Sequence, residues 1–237
     1  MGISRVFTQV DRVSAGICER AAGVSTADVH EAMGPNARAG LMTPRMRPLN
    51  RGLTIAGPAI TAISAPGDNL MMHRALYLAQ RGDVLVVVTH AENSGAQWGD
   101  VASHYALAKG LAGVIVQGCI RDTDTLERLR FPVWSTLISP ARPAKSGHGF
   151  VNTVVSCDGV VVHPGDLVLA DGDGVVVIPK DDAQNVIDAA YARMERDEAA
   201  IRKIATGGHP WELSGAAAEY ARLDVEEIDA PFTHGNP

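Results

Sequence analysis

The hydrophobic positions of this chain change their spacing along its length, and this change predicts the order of its elements. Within residues 53–137, continuous apolar runs rich in β-branched residues alternate with amphipathic segments. Such runs predict buried strands, of which Val84–Thr89 is the clearest and 113–117 the second. Strands alternating with helices predict parallel pairing through right-handed crossovers.

The remaining elements follow from the same patterns and from Gly, Pro and Asp at the boundaries. Residues 8–34 predict a short helical lead, and Gly57-Pro58 is expected to break residues 53–63 into two strand segments. Helices are predicted at 69–80, 101–109 and 123–130, and a strand at 132–137. The strands 151–156, 160–163, 167–170 and 175–178, with tight turns between them, predict a β-meander packed on the first sheet, followed by a long helix at 181–204.

Together these elements predict one α/β domain, residues 1–237, with β/β/α layering. Its core is expected at about 25–180, and a C-terminal helix and tail at 181–237 that contact a neighbouring subunit. At 237 residues the chain is long enough to bury an ample core.

Composition and charge exclude several classes of protein. A formal net charge of −6 argues against a nucleic-acid binder, and no apolar stretch is long enough to cross a bilayer. Residues 1–9 lack the apolar centre of a signal peptide. Three widely spaced cysteines without a Cys-x-x-Cys motif predict a reduced, cytoplasmic protein.

Charged residues cluster at two consecutive strand-to-helix corners. Asp100 opens the helix predicted at 101–109, and Arg121-Asp122 follows the strand predicted at 113–117. Two such corners bring their side chains to the same edge of a parallel sheet, and two carboxylates with a guanidinium suit a hard divalent cation and an anionic carbonyl substrate. Each aspartate taken alone is explained better as a helix N-cap.

The start of the helix after Gly99 is also a candidate anion site. The backbone amides of Gly99, Asp100, Val101 and Ala102 include donors without intrahelical partners, which favours a substrate carboxylate there. Gly99 lacks a side chain that would block this approach, although a plain turn glycine explains the residue equally well.

Three other reactive residues are better explained without a catalytic role. Cys119 has no histidine nearby in sequence and fits a small core residue at a strand end. Lys145 lies in a polar loop with nothing beside it to lower its pKa, which argues against a Schiff-base mechanism. A packed or surface position explains His73.

Several short motifs, in this order, carry a family resemblance over about 29–179. The chain resembles the class II pyruvate aldolases that cleave 4-hydroxy-4-methyl-2-oxoglutarate and 4-carboxy-4-hydroxy-2-oxoadipate, which share a fold with the regulator of ribonuclease E activity A. The matching motifs are Val29-His30-Glu31-Ala32, Gly57-Pro58-Ala59-Ile60-Thr61, Pro66-Gly67-Asp68-Asn69, Gly82-Asp83-Val84-Leu85-Val86, Trp98-Gly99-Asp100, Arg121-Asp122, Phe131-Pro132-Val133-Trp134 and Pro164-Gly165-Asp166.

The resemblance assigns roles to the charged corner. It implies that Asp122 ligates Mg²⁺ or Mn²⁺, that Asp100 holds metal-bound water, and that Arg121 binds the substrate near its 2-oxo group. It also implies that a glutamate of a neighbouring subunit's C-terminal helix binds metal waters. Glu198 is the best match and Glu195 the second, with a solvated surface charge as the alternative for Glu198.

The resemblance further implies a swivelling-domain type of β/β/α sandwich, a trimer or hexamer, and a metal-dependent lyase active in aromatic-compound degradation. The expected products are pyruvate plus oxaloacetate or a second pyruvate, with oxaloacetate decarboxylation as a side activity. The alternative is a protein-binding regulator of ribonuclease E. The resemblance implies that the regulator lacks the aspartate after the arginine, which this chain has as Asp122.

Overall fold

The computed structural model describes residues 4–231, so the expectation for residues 1–9 and that for the end of the tail fall partly outside the described residues. The strands are β1 Arg5–Val6, β2 Arg47–Pro48, β3 Ile55–Ser64, β4 Val84–Thr89, β5 Gly113–Ile120, β6 Val133–Ile138, β7 Gly149–Val151, β8 Val155–Cys157, β9 Val160–Val162, β10 Leu167–Ala170 and β11 Val175–Ile178. The α-helices are α1 Ala15–Ala21, α2 Thr26–Ala32, α3 Ala37–Gly40, α4 Leu70–Leu78, α5 Asp100–Lys109, α6 Thr123–Leu129, α7 Ala183–Ile204, α8 Pro210–Leu213 and α9 Ala216–Tyr220, with a 3-10 turn at Gly34–Asn36.

The described chain forms two compact units, residues up to Arg193 and residues from Met194 onward, and the division falls within α7. The first unit contains a nine-stranded sheet in the order β1-β7-β3-β4-β5-β6-β2, with β10 on β3 and β11 on β10. The strands β3, β4, β5 and β6 pair in parallel, as predicted from the alternation of strands and helices. The second unit holds the end of α7 together with α8 and α9.

Side chains of the central strands alternate between two cores. Val84, Val86 and Val88 pack against the hairpins β8–β9 and β10–β11 on one face. Leu85 and Val87 pack on the other face, against α4, α5 and α6. Because successive strand residues point to opposite faces, a continuous apolar run fills both cores at once. The predicted β/β/α layering is therefore confirmed.

The expected break at Gly57-Pro58 is wrong, because β3 runs through both residues as one strand. Up to Pro58 the strand pairs antiparallel with β10, and from Ala59 onward it pairs in parallel with β4. Gly57 and Pro58 therefore lie where β3 changes its partner strand. Proline has no N–H to donate, but pairing with β4 begins only at Ala59, so no bond to β4 is lost. A side chain at 57 has no room, since a Cβ there would lie 2.2 Å from the carbonyl oxygen of Gly82.

The predicted β-meander is also wrong. The strand β7 joins the main sheet beside β3 and β1, β8 and β9 form a separate hairpin, and β10 attaches to β3. The Asp-Gly turn at 171–174 does connect β10 to β11, as predicted. The two short strands β1 and β2, which pair with β7 and β6, have no sequence signal.

Helix boundaries agree with the patterns to within a few residues, and the helical lead is two helices, α1 and α2. The apolar face of α7 is confirmed at Ala183, Ile187 and Ala190, which are buried. Within residues 4–231, no helix is both long and apolar enough to cross a membrane.

Candidate active site

The corner that carries the charged residues is built by pairing the loop before α5 with the end of strand β5. Trp98 forms an isolated parallel bridge with Ile120, the last residue of β5. The Arg121 amide donates to the Trp98 carbonyl at 3.1 Å, and the Gln97 amide donates to the Cys119 carbonyl at 2.7 Å. The start of α5 is thereby fixed directly beside Arg121 and Asp122.

Trp98 anchors this corner in the core. Its ring is buried and stacks on Phe131 with centroids 6.0 Å apart, while its indole N–H donates to the Ser103 hydroxyl at 2.6 Å. A buried indole that satisfies its own donor is a rigid support. The position of Gly99 and Asp100, the next two residues, therefore depends on the packing of the whole helical layer.

The structure brings Asp100, Arg121 and Asp122 together, as the spacing predicts. The Asp122 carboxylate oxygen Oδ2 accepts from the Asp100 amide at 3.2 Å and lies 3.5 Å from Arg121 Nε. Gly99 lies between them, and a Cβ at that position would be 2.6 Å from the same oxygen. The close approach of backbone to carboxylate thus requires the glycine.

The capping alternative does not describe Asp122, because its side chain makes no capping bond to its own helix α6. Its backbone is left-handed, with φ of 59°, a conformation that aspartate adopts more readily than most residues. This backbone directs the carboxylate across to α5. Asp100 is the first helical residue of α5, and its Oδ1 accepts from the Val101 amide at 2.6 Å.

Among the four predicted amides, those of Asp100 and Val101 each donate to a carboxylate oxygen. Both oxygens belong to the protein, but they show that these N–H groups are oriented to bind a carboxylate. The exposed position of Val101, at 76% of its full accessibility, leaves the same end of α5 open to a larger anion.

A cavity of about 220 Å³ begins at this corner and extends toward the start of α4. Gly99, Asp100, Val101, Ala102 and Arg121 line it. The rest of its lining includes residues without a functional assignment from the sequence: Asn69, Met72, His73, Gln97, Pro143 and Lys145.

Three side chains that line this cavity keep a buried polar atom without a hydrogen-bond partner among the described residues: Asn69 Oδ1, His73 Nε2 and Gln97 Oε1. Burial, and then the positive charge of Lys145, lower the pKa of His73, while Asp68 opposes them. His73 is therefore mainly neutral at neutral pH. Buried polar groups without a partner are uncommon in proteins, so three of them in one cavity are typical of a functional site.

Asp68 fixes the loop that carries Lys145. Its buried carboxylate accepts from the amides of Leu70 at 2.8 Å, Ser146 at 2.6 Å and Gly147 at 2.8 Å. Burial alone would raise the pKa of Asp68, but these three bonds and the charge of Lys145 lower it. The carboxylate thus joins the start of α4 to the 144–147 loop.

Cys119 is not an activated thiol. It is buried, and burial raises its pKa above the ordinary value. A nucleophilic cysteine requires the opposite shift. The structure agrees with the core position expected for this residue.

Glu198 lies on α7 in the second unit, is exposed, and pairs with Arg202 one turn later at 3.6 Å. The assignment of Glu198, or of Glu195, to a neighbouring subunit's site stays a prediction. Within the described residues, no three His, Cys, Asp or Glu side chains are grouped to hold a metal. Asp122 and Asp100 do supply the oxygen donors that hard divalent cations prefer, with water or substrate completing the coordination.

Replacing Gly99 by alanine tests the close packing of this corner. We expect Gly99→Ala to displace the Asp122 carboxylate and lower kcat/KM by about 10- to 100-fold, because small misplacements of a site are costly. The fold should survive, since φ of Gly99 is extended at −168°. Gly172→Ala is the matched control, because a Cβ there meets nothing within 4 Å. Equal activity and equal thermal midpoints for both variants would contradict this role of Gly99.

The fold and the corner define a layered α/β protein with two carboxylates and a guanidinium gathered at the carboxyl edge of its parallel strands. Residues 26–177 match the family model described as RraA-like, Aldolase/RraA, and the chain belongs to this family. A relative from Halalkalibacterium halodurans, named "Putative 4-hydroxy-4-methyl-2-oxoglutarate aldolase", is 39% identical over 163 residues, which cover 69% of this chain and 78% of the relative.

Solved structures support the same fold. RraAS2 from Streptomyces coelicolor, described as an unusual member of the RNase ES inhibitor RraA protein family, has a TM-score of 0.71 at 30% identity, covering 81% of this chain and 98% of that chain. An uncharacterized protein from Pseudomonas syringae pv. tomato has a TM-score of 0.77, covering 86% of this chain and 99% of that chain. At 24% identity, the second likeness concerns the fold alone.

Proposed function

We propose that this protein is a divalent-metal-dependent aldolase that cleaves 4-carboxy-4-hydroxy-2-oxoadipate, 4-hydroxy-4-methyl-2-oxoglutarate or both. The products are pyruvate and either oxaloacetate or a second pyruvate. The observation that carries the proposal is the corner itself, where the Asp122 carboxylate lies 3.2 Å from the Asp100 amide and 3.5 Å from Arg121 Nε. The name of the Halalkalibacterium relative supports the same reaction class.

The residues of the corner divide the binding of the substrate between them. The amides at the start of α5 bind the C1 carboxylate, and the Arg121 guanidinium binds the 2-oxo oxygen. Asp122, with Asp100 and the Glu198 of a neighbouring subunit through water, would hold Mg²⁺ or Mn²⁺, which when bound polarises the 2-oxo group. Fixing the C1 carboxylate and the 2-oxo oxygen presents the C3–C4 bond for cleavage.

Bond cleavage moves negative charge toward Arg121. A water held by Asp100 takes the proton of the C4 hydroxyl and passes one of its own to the Asp100 carboxylate. The C3–C4 bond breaks, the C4 oxygen becomes a carbonyl, and the electron pair of the broken bond passes into an enolate at C2 and C3. Arg121 stabilises the enolate oxygen with a donor that is already in place. Protonation at C3 then gives pyruvate, while the other fragment leaves as a 2-oxo acid.

The same enolate arises when oxaloacetate loses its C4 carboxylate as carbon dioxide. Oxaloacetate decarboxylation is therefore expected as a side activity that depends on the same residues. The expected assembly, a trimer or hexamer in which Glu198 reaches a neighbour's site, belongs to this proposal.

A second candidate function is a protein-binding regulator of ribonuclease E, which the likeness to the Streptomyces coelicolor structure favours. The aspartate at 122 distinguishes the two, because a regulator has no need of a carboxylate directed at the start of α5. The orientation of Asp122 favours the aldolase.

A coupled assay tests the proposal. Pyruvate release from each candidate substrate and from oxaloacetate is followed by lactate dehydrogenase and NADH, with and without EDTA. We expect turnover that EDTA abolishes and that excess Mg²⁺ or Mn²⁺ restores. Free pyruvate in EDTA is the control for the coupling enzyme. Full turnover in excess EDTA would contradict metal dependence, and no turnover with any substrate would favour the regulator.

A further inference from the structure

A second, wider cavity adjoins the one at the corner and is positively charged. It has a volume of about 660 Å³ and shares Arg121, Pro143 and Lys145 with the first cavity. Arg142 completes its set of cations. The space therefore continues from the 2-oxo end of the proposed substrate past Arg121 to two further cations on a single loop.

The cations of this loop are not engaged in ion pairs within the described residues, and the charge of Lys145 acts on the nearby carboxylate of Asp68 only by lowering its pKa. Within residues 4–231, neither Arg142 nor Lys145 has an ion pair or a side-chain hydrogen bond. Among the described residues lining the two cavities, Asp100 is the only acidic one. Unpaired cations facing a common space favour an anion with more than one charge.

The loop that carries Arg142 and Lys145 is fixed on both sides. Ala141 accepts from the Ala96 amide at 2.9 Å, and the Ala144 amide donates to the Gly67 carbonyl at 2.7 Å. The Asp68 carboxylate then holds the amides of residues 146 and 147. A loop held in this way keeps its two cations near the cavity before any ligand binds, which lowers the entropic cost of binding.

We propose that Arg142 and Lys145 bind the carboxylates beyond the scissile bond, and that they make the tricarboxylate 4-carboxy-4-hydroxy-2-oxoadipate the preferred substrate. The inference rests on the proposed function and chooses between its two substrates. Beyond C3 the tricarboxylate carries two carboxylates, at C4 and C6, which match the two cations. The alternative, 4-hydroxy-4-methyl-2-oxoglutarate, carries one carboxylate and a methyl group, which gains nothing from a guanidinium.

Selectivity between the two substrates tests this assignment. For wild type, we expect a higher kcat/KM with the tricarboxylate. In Lys145→Gln and Arg142→Gln, kcat/KM for the tricarboxylate should fall by about tenfold, as for the loss of one charged hydrogen bond. The loss with the methyl substrate should be less than about threefold, because a single carboxylate still has one cation to bind.

Proton exchange at the pyruvate methyl group in D₂O, followed by NMR, serves as the internal reference. Pyruvate has no carboxylate beyond C3, so both variants should lose less exchange than activity on the tricarboxylate, and the thermal midpoint of each variant shows that it is folded. Arg38→Gln on α3 removes an exposed cation elsewhere and controls for long-range attraction of the substrate. This control should leave the ratio of the two kcat/KM values unchanged.

The possible failures are distinguishable. If wild type releases pyruvate from both substrates but the variants lose activity equally on both, or lose none, the subsite is overturned and the proposed function stands. The same holds if wild type prefers the methyl substrate. If wild type releases pyruvate from neither, the proposed function is wrong and the subsite falls with it.

Discussion

Arg121→Lys is expected to lower kcat by about 10²-fold or more, with a smaller change in KM. Lysine keeps the positive charge but loses the planar fork that binds two oxygens at once. The enolate gains charge only as the C3–C4 bond breaks, so the loss should appear mainly in the chemical step. Steady-state kinetics with the better substrate provide the measurement.

Arg128→Lys is the matched control, because Arg128 lies on the adjacent helix α6 and its side chain donates to the Thr125 hydroxyl at 3.1 Å, away from the corner. It should retain wild-type kinetics. Added Mg²⁺ should not rescue Arg121→Lys, since no ligand of the cation is changed. A near-normal kcat for Arg121→Lys would remove the guanidinium from the reaction.

Asp122→Asn is expected to weaken the binding of the activating cation by at least about 100-fold. Removing even an indirect partner of a metal lowers metal affinity or activity by about 10- to 100-fold. Asparagine has nearly the same shape and also tolerates the left-handed backbone of this position. The variant should therefore fold normally, lose activity at low Mg²⁺, and recover part of it at high Mg²⁺ or Mn²⁺. Activity titrated against each metal provides the test.

Asp124→Asn removes a carboxylate from the first turn of the same helix and is the control for a general change of charge. Its metal dependence should match that of wild type. If the activity of both variants depends on metal concentration as in wild type, Asp122 is a structural residue. A role as a regulator of ribonuclease E then becomes the better explanation of this protein's function.

Much of the fold was predictable because its signals are local. Six consecutive buried residues in Val84–Thr89 can serve two cores only as a central strand, and the structure has them there. The partner change at Gly57-Pro58 was not predictable in this way. Locally the pair is typical of a break, and only the distant strand β10 and the carbonyl of Gly82 show why both residues lie inside a strand.

The candidate site was likewise predictable only in part. Parallel topology predicts that Asp100 and Asp122 lie close together. It does not decide whether these residues cap their helices or bind a metal ion and substrate. That decision depends on the backbone of Asp122 and on the bridge between Trp98 and Ile120. Lys145 lies at the site because the amide of the next residue, Ser146, donates to the Asp68 carboxylate. These two residues are 78 positions apart, and no local sequence pattern predicts such a contact.

The left-handed backbone at Asp122 has an evolutionary consequence. Among residues with side chains, asparagine and aspartate enter this conformation most easily, and glycine enters it freely. Single-base changes of an aspartate codon produce both asparagine and glycine. The position that would bind the metal is therefore one where a single mutation can remove the ligand and leave the scaffold intact. A lineage with this fold can lose its chemistry in one step and keep a stable protein available for selection as a binding partner.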